Sequence, residues 1–315
     1  MNQSGKVKNF FLSNGLYLIA ILIIIAFTMI KPTFFSLANL FQILTSSSFL
    51  FAMAAGTTVV IISGNMDLAV GSTALACASM MWVVSTKGAP APVIVLAGLA
   101  TGAAVGVLNG ILVAYLKMNS MVLTLGLQIA YRGLGLIMIN GTQQSFPEAF
   151  KNFGNLRIGK LYSVVILCFA VMIVLHIILR YTKFGTYIYA IGSNEEAAKR
   201  VGIPVNRIKV STFVISGLCA AVAGLVIICR LGMVQAFMGK GMEFDAIEAA
   251  VIGGVSLQGG RGRMIPGTIF GVLLIYMINN GLAIIGASEF SYPFAQGIIV
   301  FIAMYMDALK NFKSK

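Results

Sequence analysis

Apolar residues in this 315-residue chain neither alternate with polar ones nor keep to one stripe of a helix. They form long uninterrupted runs divided by short polar connections. A helix needs about 20 such residues to cross the hydrocarbon core of a bilayer. A membrane β-barrel would show roughly ten-residue segments of strict alternation instead, and the chain has none. The runs predict about ten transmembrane helices, near residues 16–30, 41–63, 66–86, 93–116, 119–140, 161–180, 210–231, 245–258, 264–286 and 293–309. The eighth is too short to cross fully as an ordinary helix. The predicted fold is therefore all-α: one polytopic helical membrane domain over residues 1–315, with broken or re-entrant segments.

Composition agrees. Residues of hydrophobic type make up 59% and charged residues only 10%, against about a quarter charged in soluble domains. Mean hydropathy is +0.95. The net charge of +13 would suggest nucleic acid in a soluble protein. Here the basic residues cluster in the connections, as the positive-inside rule expects of cytoplasmic loops, so no nucleic-acid partner is expected. Ten spans place both termini on one side, and Lys6, Lys8, Lys310, Lys313 and Lys315 make that side cytoplasmic. Residues 181–209, Arg261 and Arg263 then lie inside, and residues 141–160 and 233–244 outside, although Lys151, Arg157 and Lys160 run against the rule. The first run is followed by KPTFF rather than a small-x-small cleavage site and reads as an uncleaved span. Cys77, Cys168, Cys219 and Cys229 fall inside apolar runs without CxxC spacing, as small buried hydrophobes do.

The fourth run carries Gly98, Gly102, Gly106 and Gly110 at four-residue spacing. Such a row is a groove of bare backbone that admits a second helix closely, since lipid supplies no hydrophobic drive for helices to associate. Two other runs are interrupted, at ISGNMDLAVGS (62–72) and VIGGVSLQGGRGRMIPGT (251–268). Irregular backbone at membrane depth persists only where protein buries it or a cavity is lined by it, and transporters build pathways from such broken helices.

Asp67 is the only acid before residue 148. It serves either as a functional intramembrane acid or as a cap for the helix that follows. Arg132 is open to pairing with an acid, binding carbonyls at a break, or snorkelling. Glu248 lies near Glu243 and Asp245, and the amides of Asn279 and Asn280 can join helices or face a polar solute. His176, the only histidine, is four residues from Arg180 at a span end and reads as structural. A lone histidine leaves little for a zinc site. Chemistry is otherwise lacking: FMGKGM misses the Ser or Thr of a phosphate loop, and HExxH and GxSxG do not occur. The chain is expected to be a non-enzyme with no metal or cofactor of its own.

The stretch IGSNEEAAKRVGIPVNRIK (191–209) holds six charged residues between two long apolar runs. Ser193 and Glu196 fit a capping box, with Asn194 as an alternative N-cap. Glu195 and Glu196 occupy the first turn and Lys199 and Arg200 the last, as the helix dipole favours. Gly202 suits the residue after the helix and Pro204 stops continuation. A helix of about two turns does not stand alone in water. It is either a solvated loop or a segment docked on a partner.

GNMDLAVGS, YAIGSNEEAAKRVGIPVNRIK, EFDAIEAAVIGGVSLQGGRGRMIPGT and NNGL together resemble the membrane permease subunits of bacterial ABC importers of the ribose, galactoside and xylose class. The likeness runs from about residue 10 to the C-terminus. It implies a multi-pass permease of the inner membrane that pairs with a second copy or a related permease. A cytoplasmic ATPase that binds the ATP, a periplasmic sugar-binding protein and a small neutral sugar complete the set. It makes the loop 181–209 the coupling loop and Asn194, Glu195, Glu196, Lys199, Arg200, Gly202 and Pro204 the ATPase-coupling residues. Asn65, Asp67, Asn279 and Asn280 are expected along the substrate pathway. The chain departs from the family pattern at Asn65, where a second Gly is usual, and at Ala69, where a small polar residue is. An ion-coupled secondary transporter of a neutral solute is the rival expectation.

Overall fold

The structure, a computed structural model, describes residues 20–288, 290–298 and 301. Each of the ten predicted segments contains helix there. In chain order these are α1 (Ala20–Ile30), α2 (Leu37–Ser46), α3 (Ser48–Ile62), α4 (Val70–Ser85), α5 (Ala91–Ala114), α6 (Ser120–Met138), α7 (Glu148–Asn155), α8 (Ser163–Tyr181), α9 (Lys183–Ser193), α10 (Glu195–Arg200), α11 (Val205–Leu231), α12 (Met242–Ile252) and α13 (Ile269–Ile284). Residues 291–298 are also helical. Lys6, Lys8, Lys310, Lys313 and Lys315 lie outside the described residues.

Among the described residues five helices are long and apolar enough to span a membrane: α5, α6, α8, α11 and Met264–Ile284. The second predicted span, 41–63, is a pair, α2 and α3, bent by 50° at Ser47. Ser47 and Ser48 each donate a hydroxyl to a carbonyl of the preceding turn, at Leu44 and Thr45, and such back-bonding bends helices. The third span becomes helical only at Val70, four residues later than predicted. The eighth, α12, is 11 residues long, in keeping with its predicted shortness. Two further corrections concern residues 181–209: α9 occupies 11 of the residues expected to be loop, and α11 begins at Val205 rather than 210.

α11 is the axis of the bundle. Of its most apolar stretch 72% is buried, against 22% for α5 and α6. The glycine row explains the closest of its contacts. A Cβ on Gly106 would lie 2.6 Å from Val214 Cα, and one on Gly110 2.7 Å from Val210 Cα, so the two backbones meet along the groove that the sequence laid out. Close van der Waals approach is the force available to helices in lipid. Gly98 at the head of the row receives Met81 of α4 instead.

Four two-residue strands lie at the end of the bundle where α11 finishes. β1 (Gln144–Ser145) pairs with β4 (Met233–Val234), and β2 (Arg157–Ile158) with β3 (Leu161–Tyr162), both antiparallel. Phe146 N–H also donates to Gly232 O at 2.9 Å. The connections 141–160 and 232–244 thus form one platform, with α7 packed on α11. Phe153, Leu156, Ile158 and Phe237 are exposed on it.

Candidate functional site

α10 lies at the opposite end of α11 from that platform. Its N-cap is Asn194, whose side chain accepts from Ala197 N–H at 2.9 Å. The alternative cap is the one used, because Ser193 is the last residue of α9. At the other end Gly202 adopts a left-handed φ of 82°. Ile203 N–H returns to Ala198 O at 3.1 Å and Gly202 N–H to Lys199 O at 3.0 Å, which together satisfy carbonyls that a free helix end leaves bare. Pro204 then leads directly into α11.

The inner side of α10 is pinned by Ala198, which is buried, and by Glu195. The Glu195 carboxylate meets Lys199 at 2.9 Å and Lys209 of α11 at 2.5 Å, so an ion pair ties α10 to the start of the central helix. Partial burial works against the charged form of Glu195, but hydrogen bonds from Lys209 and Lys199 outweigh it and hold its carboxyl below the usual range. Lys199 is raised by its bonds to Glu195 and Glu196. The outer side carries Glu196, Ala197, Arg200 and Val201. Val201 is 76% exposed, an apolar knob flanked by charge. The sequence reading missed it, although the four-residue spacing from Ala197 was visible.

Immediately before α10, three distant segments touch backbone to backbone. Gly260 N–H donates to Ile62 O at 2.8 Å. A Cβ on Gly192 would stand 2.5 Å from Gly260 N, and one on Gly259 2.7 Å from Gly64 Cα. Gly259 also needs its φ of 83°, which glycine alone adopts without cost. Tyr189 of α9 donates its hydroxyl to Gly262 O at 2.9 Å. The end of α9 is therefore a knuckle between the two interrupted segments.

In the first break, Asp67 is 3% exposed. Its Oδ1 accepts from Ala69 N–H at 3.0 Å and its Oδ2 from the Ser216 hydroxyl of α11 at 2.7 Å. The rest of the break is held by α6: Met66 N–H donates to Ser120 Oγ and Leu68 N–H to Thr124 Oγ1, each at 3.0 Å. Asn65, also buried, bonds to Ser63. Asn280 pairs with Asn39 of α2 at 2.8 Å, and Asn279 accepts from Gln296 at 3.3 Å. No hydrogen bond among the described residues joins the Asn65–Asp67 pair to the Asn279–Asn280 pair. Arg132 binds carbonyls, those of Ala236 and Met238, and not an acid. The second break borders a groove lined by Gly253, Arg261, Arg263 and Pro266. His176 stands edge-on to Tyr181 at 6.5 Å, and no cluster of three or more potential metal ligands occurs among the described residues.

Helices broken at membrane depth, a central apolar bundle and a capped amphiphilic helix at one end define a membrane permease. Residues 39–304 match the family described as branched-chain amino acid transport system / permease component, and the chain belongs to it. The ribose import permease protein RbsC of Escherichia coli (strain K12) is 36% identical over 300 residues, 93% of each chain. The galactose/methyl galactoside import permease protein MglC of Haemophilus influenzae is 33% identical over an alignment covering all of both chains. The autoinducer 2 import system permease protein LsrC of Photorhabdus luminescens is 34% identical over 92% of this chain and 88% of its own. No solved structure matches the chain.

Proposed function

We propose that the chain is the permease subunit of an ATP-driven importer that carries a simple neutral sugar into the cytoplasm. α10 carries the reading. It is too short to be stable alone, yet it is capped at both ends, bonded to α11, and presents Val201 outward. Those are the properties of a helix that seats in a partner's groove, and the absence of a nucleotide loop assigns ATP to that partner. The relatives' printed sugars support the substrate class.

In this reading the α10 end faces the cytoplasm. Asn194, Glu195, Glu196, Lys199, Arg200, Gly202 and Pro204 build the coupling helix, and Val201 is its contact knob. Closure of the ATPase displaces α10. The knuckle at Gly192 passes that displacement to both interrupted segments, and the cavity between two permease copies changes the side to which it opens. Asn65 and Asp67 shape the inner half of the path, and Asn279 and Asn280 the outer half. The platform of residues 141–160 and 232–244 receives the substrate-binding protein through Phe153, Leu156, Ile158 and Phe237.

An ion-coupled transporter would need an acid open to the path. Both Asp67 oxygens are already bonded within the protein, so that rival rests on Glu248, whose Oε2 has no hydrogen-bond partner among the described residues. The deciding experiment is sugar uptake into vesicles. Uptake should persist when ion gradients are collapsed and stop when ATP hydrolysis is blocked; the reverse pattern would sink the importer reading.

A further inference from the structure

α6 presents a groove of about 570 Å³ lined by Leu125, Gly126, Gln128, Ile129, Arg132, Gly133 and Leu136. Counting from Ser120, Gln128 and Arg132 are the ninth and thirteenth of the 19 residues of α6, in its middle third and on one face by their four-residue spacing. An arginine facing hydrocarbon at that depth is costly, and such side chains face a bundle interior or a water-filled cavity. This face of α6 therefore does not meet lipid, although its neighbours are apolar. Gly126 and Gly133 meet nothing within 4 Å of a Cβ position, so they notch the wall on either side of the polar pair.

The two polar groups are not equivalent. Gln128 Nε2 donates to Glu243 Oε1 at 2.5 Å, and Glu243 is buried. That bond fixes the amide so that its carbonyl oxygen is left to accept. Arg132 is held only by contacts of 3.4 Å to the carbonyls of Ala236 and Met238, and a guanidinium offers donors but no acceptor. The groove thus sets one acceptor beside one donor on an apolar wall.

We propose that Gln128 and Arg132 form a sugar-contacting station in the translocation path, with Glu243 as its positioning residue. One hydroxyl of a vicinal pair donates to Gln128 Oε1, its neighbour accepts from Arg132, and the C–H face of the ring lies on Ile129. This rests on the import reading above and adds a substrate contact that neither the interrupted segments nor the asparagine pair supplies.

The test uses the whole importer from its host, reconstituted in proteoliposomes, with radiolabelled D-ribose and D-galactose as probes. Gln128→Ala and Arg132→Ala should lower the maximal rate of uptake at least about tenfold, since each leaves a hydroxyl unpaired. ATP hydrolysis by the same complexes should hold near the wild-type level, and Arg132→Lys should recover part of the uptake. Ile137→Ala, on the exposed apolar face, should transport normally. Unchanged uptake in both alanine variants overturns the station and leaves the importer reading standing. Uptake and ATP hydrolysis falling together make Gln128 and Arg132 structural and overturn it equally. If the wild-type complex takes up neither sugar in an ATP-dependent manner, the import reading fails and the station with it.

Discussion

The two interrupted segments look alike in sequence, each an apolar helix followed by small residues, a Leu and a Gly, yet they are held in different ways. The break at residues 63–69 is mostly buried and borrows hydrogen bonds from other helices: Ser120 and Thr124 of α6 and Ser216 of α11. The break at 253–263 is held mostly by its own turns, with Ser256 N–H bonded to Arg261 O and Gly259 N–H to Ser256 O, and it opens on a groove. One is a packed seam and the other a self-supporting loop. They touch each other directly beside Gly192, where Gly260 N–H bonds Ile62 O and Gly259 backs onto Gly64, so a movement entering at α10 reaches two differently stiff outputs at one place.

The largest effect should come from wedging the two outputs apart. Gly192→Val places a branched side chain where even a Cβ would stand 2.5 Å from Gly260 N. Sugar uptake should fall below a tenth of wild type, with the permease still present in the membrane by immunoblot. Normal uptake would mean that the knuckle transmits nothing.

The next is a test of the packed seam. Asp67→Ala strands the Ser216 hydroxyl and the Ala69 N–H, which costs about 1–3 kcal/mol for each buried group left unpaired. Asp67→Asn keeps an acceptor for Ala69 and should cost less. Thermal unfolding in detergent should therefore rank wild type above Asn and Asn above Ala. An equivalent substitution in the self-supporting loop, Arg261→Ala, should leave the midpoint almost unmoved.

A smaller effect concerns the input helix. Asn194→Ala removes the cap of α10, about 1 kcal/mol, and should weaken co-purification of the ATPase several-fold, with Asn194→Ser restoring most of it. The smallest is a pH effect. The Glu195 carboxyl is held below its ordinary value of 4.5 by the two lysines. A depressed acid stabilises the folded state above its unfolded pKa and loses that contribution as pH falls through the folded one. ATPase association should therefore be flat from neutral pH down to about 4.5 and weaken below it. Glu195→Gln should bind more weakly at neutral pH and lose that acid dependence.

Much of this was legible in the residues. The long apolar runs, the glycine row of α5, the short α12 and the boundaries of α10 follow from local rules of hydropathy and capping, and the structure has each of them. Other features escaped because they depend on partners distant in the chain. α9 falls in the stretch expected to be loop after the span ending near 180, and its helical state shows only where it packs against α8 and α3. Val201 looks like any core valine until its neighbours turn inward. Whether Arg132 would meet an acid or a carbonyl depended on how the 232–241 turn folds back.

The sequence by itself determined that this chain spans a membrane in helices, that two of its apolar runs are interrupted, and that one capped helix stands apart from them, because hydropathy, glycine and capping act over a few residues. Only the tertiary structure decided that the two breaks share one knuckle with that helix, that Asp67 is spent on Ser216, and that Gln128 is oriented by Glu243. These are contacts across up to about two hundred residues, and in a bundle packed by close backbone approach they depend on which glycine meets which helix.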